Sequence, residues 1–127
     1  MKDAIWDPIR RRYRVATPEE CVRQRLVAFL LERGYPLASI QVEYALSEGG
    51  RFDVAVTTPE GDLWLLAECK APGTSPQRLW TQAWTQLRRY ARVAPHLKYF
   101  AIALGDQLWC WDAQTGSLLS DFPTYPR

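Results

Sequence analysis

Side chains that hold soft metals or run imidazole chemistry are scarce in this 127-residue sequence: it has one histidine, His96, and three cysteines. A lone imidazole excludes a histidine-dependent catalytic triad and a multi-histidine metal site. Cys21, Cys69 and Cys110 are odd in number, far apart and without a C-x-x-C spacing. Neither a disulfide framework nor a zinc knuckle is expected, and the preferred reading is buried thiols in a reducing compartment. Long apolar runs are missing as well. VAFLL and LWLLA are far too short to cross a bilayer, and the opening MKDAIWDP lacks the apolar segment of a signal peptide, so a soluble cytoplasmic protein with no membrane partner is the expectation. There is no strong excess of charge: a formal +2 neither demands nor excludes nucleic acid, and any electrostatic argument must come from where the basic residues cluster. With these classes removed, the chemistry falls to carboxylates and lysine.

What is present describes one globular domain. Apolar residues make up 47% and charged residues 24%, with six tryptophans, a composition that can build a single core without staples. Residues 1–16 read as a basic, irregular arm with Arg10, Arg11, Arg12 and Arg14 around Tyr13. Thr17-Pro18-Glu19-Glu20 has the form of a capping box, opening a helix whose apolar positions are Val22, Leu26, Phe29 and Leu30 and which Gly34 and Pro36 stop. At Ile40 the period changes to two, predicting a strand through Leu46. Arg51 to Val56 and Leu63 to Ala71 follow as strands around a Pro59–Asp62 turn. Ser75-Pro76 opens a second helix running to about Val93, with Leu79, Ala83, Leu87 and Tyr90 as its seam. Two strands, Lys98 to Leu104 and Leu108 to Trp111, complete a domain over 17–113, leaving 114–127 as a tail. The order α-β-β-β-α-β-β gives an α/β (α+β) layered fold.

The second strand of the central hairpin carries Glu68 and Lys70 at the end of an apolar run. A turn centred between Glu60 and Gly61 sets Asp53 opposite Glu68, and period-two alternation adds Lys70 to the same face, with Arg51 opposite it. The other face collects Phe52, Val54, Val56, Leu63, Leu65, Ala67 and Cys69. Two carboxylates side by side repel unless a cation sits between them or one is protonated. Oxygen-only ligation suits Mg²⁺ or Mn²⁺, and a neighbouring lysine can orient a water and stabilise charge growing on a phosphate. This outlines a site for phosphodiester hydrolysis. A Glu-x-Lys pair on a solvated sheet face is the bland alternative, which the opposed Asp53 and the apolar run argue against.

Asp53, a spacer and Glu68-Cys69-Lys70 resemble the PD-(D/E)XK nuclease motif. The longer series PEECVRQRLVAFLLERGYP, RFDVAV, LLAECKAP and Gln86-x-x-x-Tyr90 resembles the N-terminal nuclease domain of type I restriction enzyme R subunits, between Pro18 and Asp112. The resemblance implies a restriction-endonuclease-like fold, a central mixed sheet flanked by helices. It further implies Asp53 and Glu68 as metal ligands, Lys70 as the catalytic lysine, and Glu20 as a contributor to the metal site in some branches of the family. Gln86 and Tyr90 would join the catalytic group. Glu20 has a structural alternative in the capping box, and Gln86 and Tyr90 one in helix packing. Arg88, Arg89 and Arg92, with Arg10, Arg11, Arg12 and Arg14, could neutralise DNA phosphates, although charge runs are also ordinary solvated faces. The expected function is a Mg²⁺- or Mn²⁺-dependent DNA hydrolase, an endonuclease of restriction type; the alternative is a catalytically silent module that binds DNA or a protein. R subunits continue into ATP-driven motors and these residues hold no Walker loop, so a separate motor or modification subunit is the expected partner, with homodimerisation open.

Overall fold

The computed structural model describes residues 3–47, 49–90 and 94–127. It opens with an antiparallel hairpin of β1 (Ala4–Asp7) and β2 (Arg12–Val15), correcting the expectation of an irregular arm. Asp7 makes the turn. Its Oδ1 accepts the backbone N–H groups of Ile9 and Arg10 at 2.9 and 3.1 Å, and Arg11 then takes the left-handed conformation, φ 58°. The Asp7-Pro8 dipeptide between β-forming residues is the sequence signal for this turn.

Helix α1 (Pro18–Glu32) starts on Thr17, whose hydroxyl accepts the Glu20 N–H at 3.1 Å. The reciprocal half of the capping box is not made. Glu20 turns its carboxylate to Arg23 and Gln24, while the Thr17 N–H donates to the Val15 carbonyl. Strands β3 (Ile40–Ala45), β4 (Arg51–Thr57) and β5 (Leu63–Lys70), helix α2 (Pro76–Tyr90), and strands β6 (Tyr99–Leu104) and β7 (Gln107–Asp112) follow. The end expected for α2 near Val93 lies outside the described residues. The sheet order is β3-β4-β5-β6-β7, with β5 and β6 parallel and the other neighbours antiparallel. A parallel pair needs a long crossover, which α2 supplies. The fold is thus a mixed five-stranded sheet with two helices, preceded by a separate two-stranded hairpin.

Each sheet face has its own core. Val22, Leu26, Val27 and Leu30 of α1 cover Val54, Val56, Leu65, Ala67 and Cys69. Trp80, Ala83, Leu87 and Tyr90 of α2 cover Ala55, Leu66, Phe100 and Ile102, with Trp80 stacked on Trp111 at 5.0 Å between ring centroids. Full burial of such side chains contributes roughly 1.5–3 kcal/mol each, so neither face holds without its helix. The stretch expected to be a bare tail also packs. Tyr125 is buried and donates to the Thr57 carbonyl at 2.8 Å, and Tyr35 donates to the Pro123 carbonyl at 2.6 Å.

The expected hairpin register is present: Val54 pairs with Ala67, Ala55 with Leu66 and Val56 with Leu65. Two residues leave the predicted apolar face, however. Trp64 forms a bulge between Leu63 and Leu65, which transfers Leu63 to the α2 side. At the other end Phe52 also packs toward α2, pairing with Tyr44. Next to Tyr44 on β3, Glu43 is left-handed at φ 52°, and there the β3–β4 ladder skips the Glu43/Asp53 pair and the alternation of faces breaks.

Candidate active site

The β4–β5 ladder reaches Val54/Ala67 and stops one step before Asp53 and Glu68. Past that pair the Asp53 carboxylate takes the role of a ladder acceptor: its Oδ2 accepts the backbone N–H of Cys69 at 2.8 Å. The sheet therefore forks at Asp53, and a buried strand end that would otherwise leave an amide unpaired is closed by a side chain. On β5, Leu66 faces the α2 core, so Glu68 and Lys70, two and four residues on, point the same way. They line a cleft of about 250 Å³ with Arg51, Gln82 and Gln86. Arg51 and Lys70, expected to oppose each other, thus share this cleft.

Glu68 and Asp53 interact directly. Burial pushes the Glu68 carboxyl up to about 7, and the neighbouring Asp53 charge and side-chain hydrogen bond push in the same direction. Lys70 and the Asp53 backbone N–H oppose the shift without cancelling it. The pair thus retains a proton into the neutral range, as repelling carboxylates do when desolvated together. The Cys69 thiol, on the α1 side of β5, is raised strongly by burial and then by Asp53, so it remains protonated and inert.

On the α1 side a network of charges closes around Asp53. Arg23 donates to Asp53 Oδ1 at 3.0 Å and to Glu20 Oε1 at 2.9 Å. Burial alone would lower the pKa of Arg23, but the Asp53 hydrogen bond and the charges of Glu20 and Asp53 hold it raised. Glu20 also accepts from Gln24 at 3.0 Å and meets Arg10 at 3.5 Å and Arg14 at 3.9 Å. Arg10 in turn contacts Glu43 at 3.0 Å and the fully buried Asp7 at 3.0 Å. Glu20 is therefore enclosed by cations rather than turned toward Glu68. Among the described residues no three histidine, cysteine, aspartate or glutamate side chains gather as a metal cage. Arg10 and Arg14 are engaged in ion pairs, whereas Arg11 and Arg12 are exposed. Arg88 and Arg89 are exposed near the end of α2, with Arg88 over the Trp84 ring at 5.6 Å; Arg92 lies outside the described residues.

Gln86 and Tyr90 are one turn apart and joined, the Gln86 amide donating to the Tyr90 hydroxyl at 3.3 Å. Tyr90 donates onward to the carbonyl of Gly49. Beside it Gly50 is left-handed at φ 97°, and a Cβ there would stand 2.7 Å from the Tyr90 hydroxyl and 3.0 Å from Gln86 Nε2. The pair therefore grips the β3–β4 turn just ahead of Arg51 and Asp53, while Gln86 also lines the cleft. Arg23, Glu43 and Gly50 escaped the sequence reading. Only Gly49-Gly50 carried a local signal, since adjacent glycines mark a special backbone.

The family model described as the type I restriction enzyme R protein N terminus (HSDR_N) matches residues 18–123. The chain belongs to that family. Among solved structures, it is similar to a fragment described as an HsdR subunit of a type I restriction enzyme from Vibrio vulnificus YJ016, with 25% identity and a TM-score of 0.54. The match covers 85% of this chain and 24% of that one, so the chain spans about a quarter of that protein's length. No curated protein matches it. Among the described residues no helix is long and apolar enough to cross a membrane.

Proposed function

We propose that this R-protein N-terminal domain is a divalent-cation-dependent nuclease of restriction type, cutting DNA internally with Asp53, Glu68 and Lys70. The observation that carries the reading is the Asp53–Glu68 pair, held at a fork in the sheet with the Glu68 carboxyl raised to about 7 and Lys70 beside it on the same strand. A hard, oxygen-only donor set whose two carboxylates share a proton when no cation is bound fits Mg²⁺ or Mn²⁺, which Asp53 and Glu68 would hold. Such an ion, when bound, would supply Lewis-acid polarisation of a phosphate oxygen. Taking up the ion would release the proton that Glu68 retains in the metal-free pair, leaving both carboxylates ionised beside the attacking water. The Lys70 ammonium, in the same open cleft, orients that water and balances charge growing on the phosphate. Gln86 and Tyr90 act through position, fixing the turn that delivers Asp53. Arg51, Arg88 and Arg89 are suited to phosphates along the duplex. Other subunits of a restriction complex are the natural partners for a domain of this family.

A second reading, a silent module that binds DNA or protein, draws support from Arg23. It occupies one oxygen of Asp53 while the Cys69 N–H occupies the other, so both already have partners.

Incubating the purified protein with linear and circular DNA and Mg²⁺ or Mn²⁺, beside Lys70→Ala, separates the two. The nuclease reading expects cleavage by the wild type and a loss of at least about a hundredfold in the variant, some 2.7 kcal/mol of transition-state stabilisation. Equal cleavage by both would trace the activity to a contaminant. DNA binding without cleavage by either would favour the silent module.

A further inference from the structure

The amino-terminal hairpin lies before Pro18, where the family match begins, and it has a feature that its role in fastening α1 does not explain. Register puts Ala4 opposite Val15 and Trp6 opposite Tyr13, so these four residues share one face. All four are exposed; Trp6 retains 47% of its accessible surface, Tyr13 70% and Val15 52%. A water-facing sheet surface ordinarily carries polar side chains. Here it carries two aromatic rings in edge-to-face contact, with centroids 5.1 Å apart. Leaving such rings in water forgoes roughly 1.5–3 kcal/mol of burial for each, which marks a binding surface.

Charge identifies the occupant. Five of the sixteen basic residues but only two of the fourteen acidic ones fall in the first sixteen positions, so this segment is clearly positive while the remainder is slightly negative. Arg11 and Arg12, exposed at the hairpin turn, form no ion pair among the described residues. Exposed rings on a hairpin whose turn carries unpaired guanidiniums complement a polyanion that carries flat faces, which is a nucleic acid. Duplex stacking hides those faces, so the strand must be single. The platform is also rigid. Buried Asp7 holds its turn, and Arg10 ties it to Glu20 and Glu43. A cleft of about 400 Å³, lined by Tyr13, Arg14, Val15 and Glu20, adjoins it.

We propose that Trp6 and Tyr13 form a stacking platform for single-stranded DNA, with Arg11 and Arg12 at the hairpin turn holding its phosphates. The role of the platform rests on the nuclease reading, but its binding can be measured apart from cleavage.

The test is fluorescence anisotropy of a labelled oligothymidylate of about 15 nucleotides, with a duplex of equal length alongside, in EDTA so that no cutting occurs. Trp6→Ala and Tyr13→Ala should each weaken oligothymidylate binding by at least about fivefold, and the double variant by about thirtyfold, while duplex affinity changes less than about twofold. Trp6→Phe and Tyr13→Phe should restore most of the single-strand affinity, since either ring still stacks. If an alanine variant loses its cooperative melt, Arg12→Gln gives the second reading: it should lower the slope of log affinity against log salt by about 0.7. Absence of oligothymidylate binding by the wild type, alanine variants with unchanged affinity, or equal losses for single strand and duplex would overturn the platform; unchanged affinity would leave the face to a protein partner. An inactive wild type that still binds the oligothymidylate refutes the nuclease reading alone.

Discussion

Toward α1, the fork between β4 and β5 is lined by charges that have found one another; toward α2 it is lined by charges that remain open. Asp53, Glu20, Arg23, Arg10 and Glu43 are linked at 2.9–3.5 Å along the first side, and the side chains of Glu20 and Arg23 are about nine-tenths buried. On the second side Glu68 meets Asp53 at the cost of a raised pKa, and Lys70 and Arg51 form no ion pair among the described residues. Charges closed on each other define geometry. Charges held apart in a cleft keep the free energy that a ligand can release on binding. Asp53 belongs to both groups, so the rigid half of the network aims the open half.

The comparison is broken most forcefully at Arg23. Arg23→Met keeps the side-chain volume but leaves Glu20 and Asp53 without their shared cation in a largely buried setting. A stability loss of about 3–5 kcal/mol in urea unfolding is expected. Lys70→Met, in the open cleft, should change stability by no more than about 0.5 kcal/mol; comparable losses for both would erase the distinction between the two sides.

The protonation of Glu68 sharpens it next. Its folded pKa, about 7, lies above the ordinary 4.5, so the fold favours the protonated carboxyl. The associated stability is fully present below about pH 4.5 and is lost as pH rises through 7. The metal-free protein should therefore melt at progressively lower temperature across that window. Glu68→Gln should flatten this decline and melt higher than the wild type near pH 8. Added Mg²⁺ should counteract the decline in the wild type only, which differential scanning calorimetry can read.

The smallest effect belongs to the helix on the open side. Tyr90→Phe deletes the hydrogen bond to Gly49 while keeping the ring against Phe52. It should cost about 1 kcal/mol. Gln86→Ala should cost less, about 0.5 kcal/mol, yet reduce cleavage at least about tenfold if the grip on the turn matters to catalysis. Unchanged cleavage by both variants would confine this helix to packing.

What could be read from the sequence was what repeats locally. Thr17-Pro18 marks the start of α1, alternation marks the strands, and the Pro59–Asp62 turn implies the pairing of Val54 with Ala67. The family and the mixed sheet followed from ordered motifs. Features that depend on contacts distant in sequence were invisible. Arg23 meets Asp53 thirty residues away, and nothing in the helical period of α1 distinguishes that arginine from Arg25, which lines a surface groove. The bulge at Trp64 and the left-handed Glu43 are single-residue departures that alternation averages over, which is why Leu63 and Phe52 were assigned to the wrong face. Glu20, which the resemblance offers as a metal-site contributor and its neighbours as a cap, makes neither contact: its carboxylate closes on Arg23, Gln24 and Arg10, partners no local pattern reveals.

The fork also bears on how the protein folds. Asp53, Glu68 and Lys70 all come from one hairpin, whose strands are joined by a short turn and pair within microseconds in isolated systems. The parallel β5–β6 ladder must wait for the α2 crossover, and the Tyr125 contact with Thr57 closes a loop of 68 residues. The two carboxylates are thus brought together early, while still hydrated and cheap to hold side by side, and are desolvated only when α2 and β6 arrive. Divalent ions offered during refolding should accordingly act mainly on the late step, retarding unfolding more than they accelerate folding.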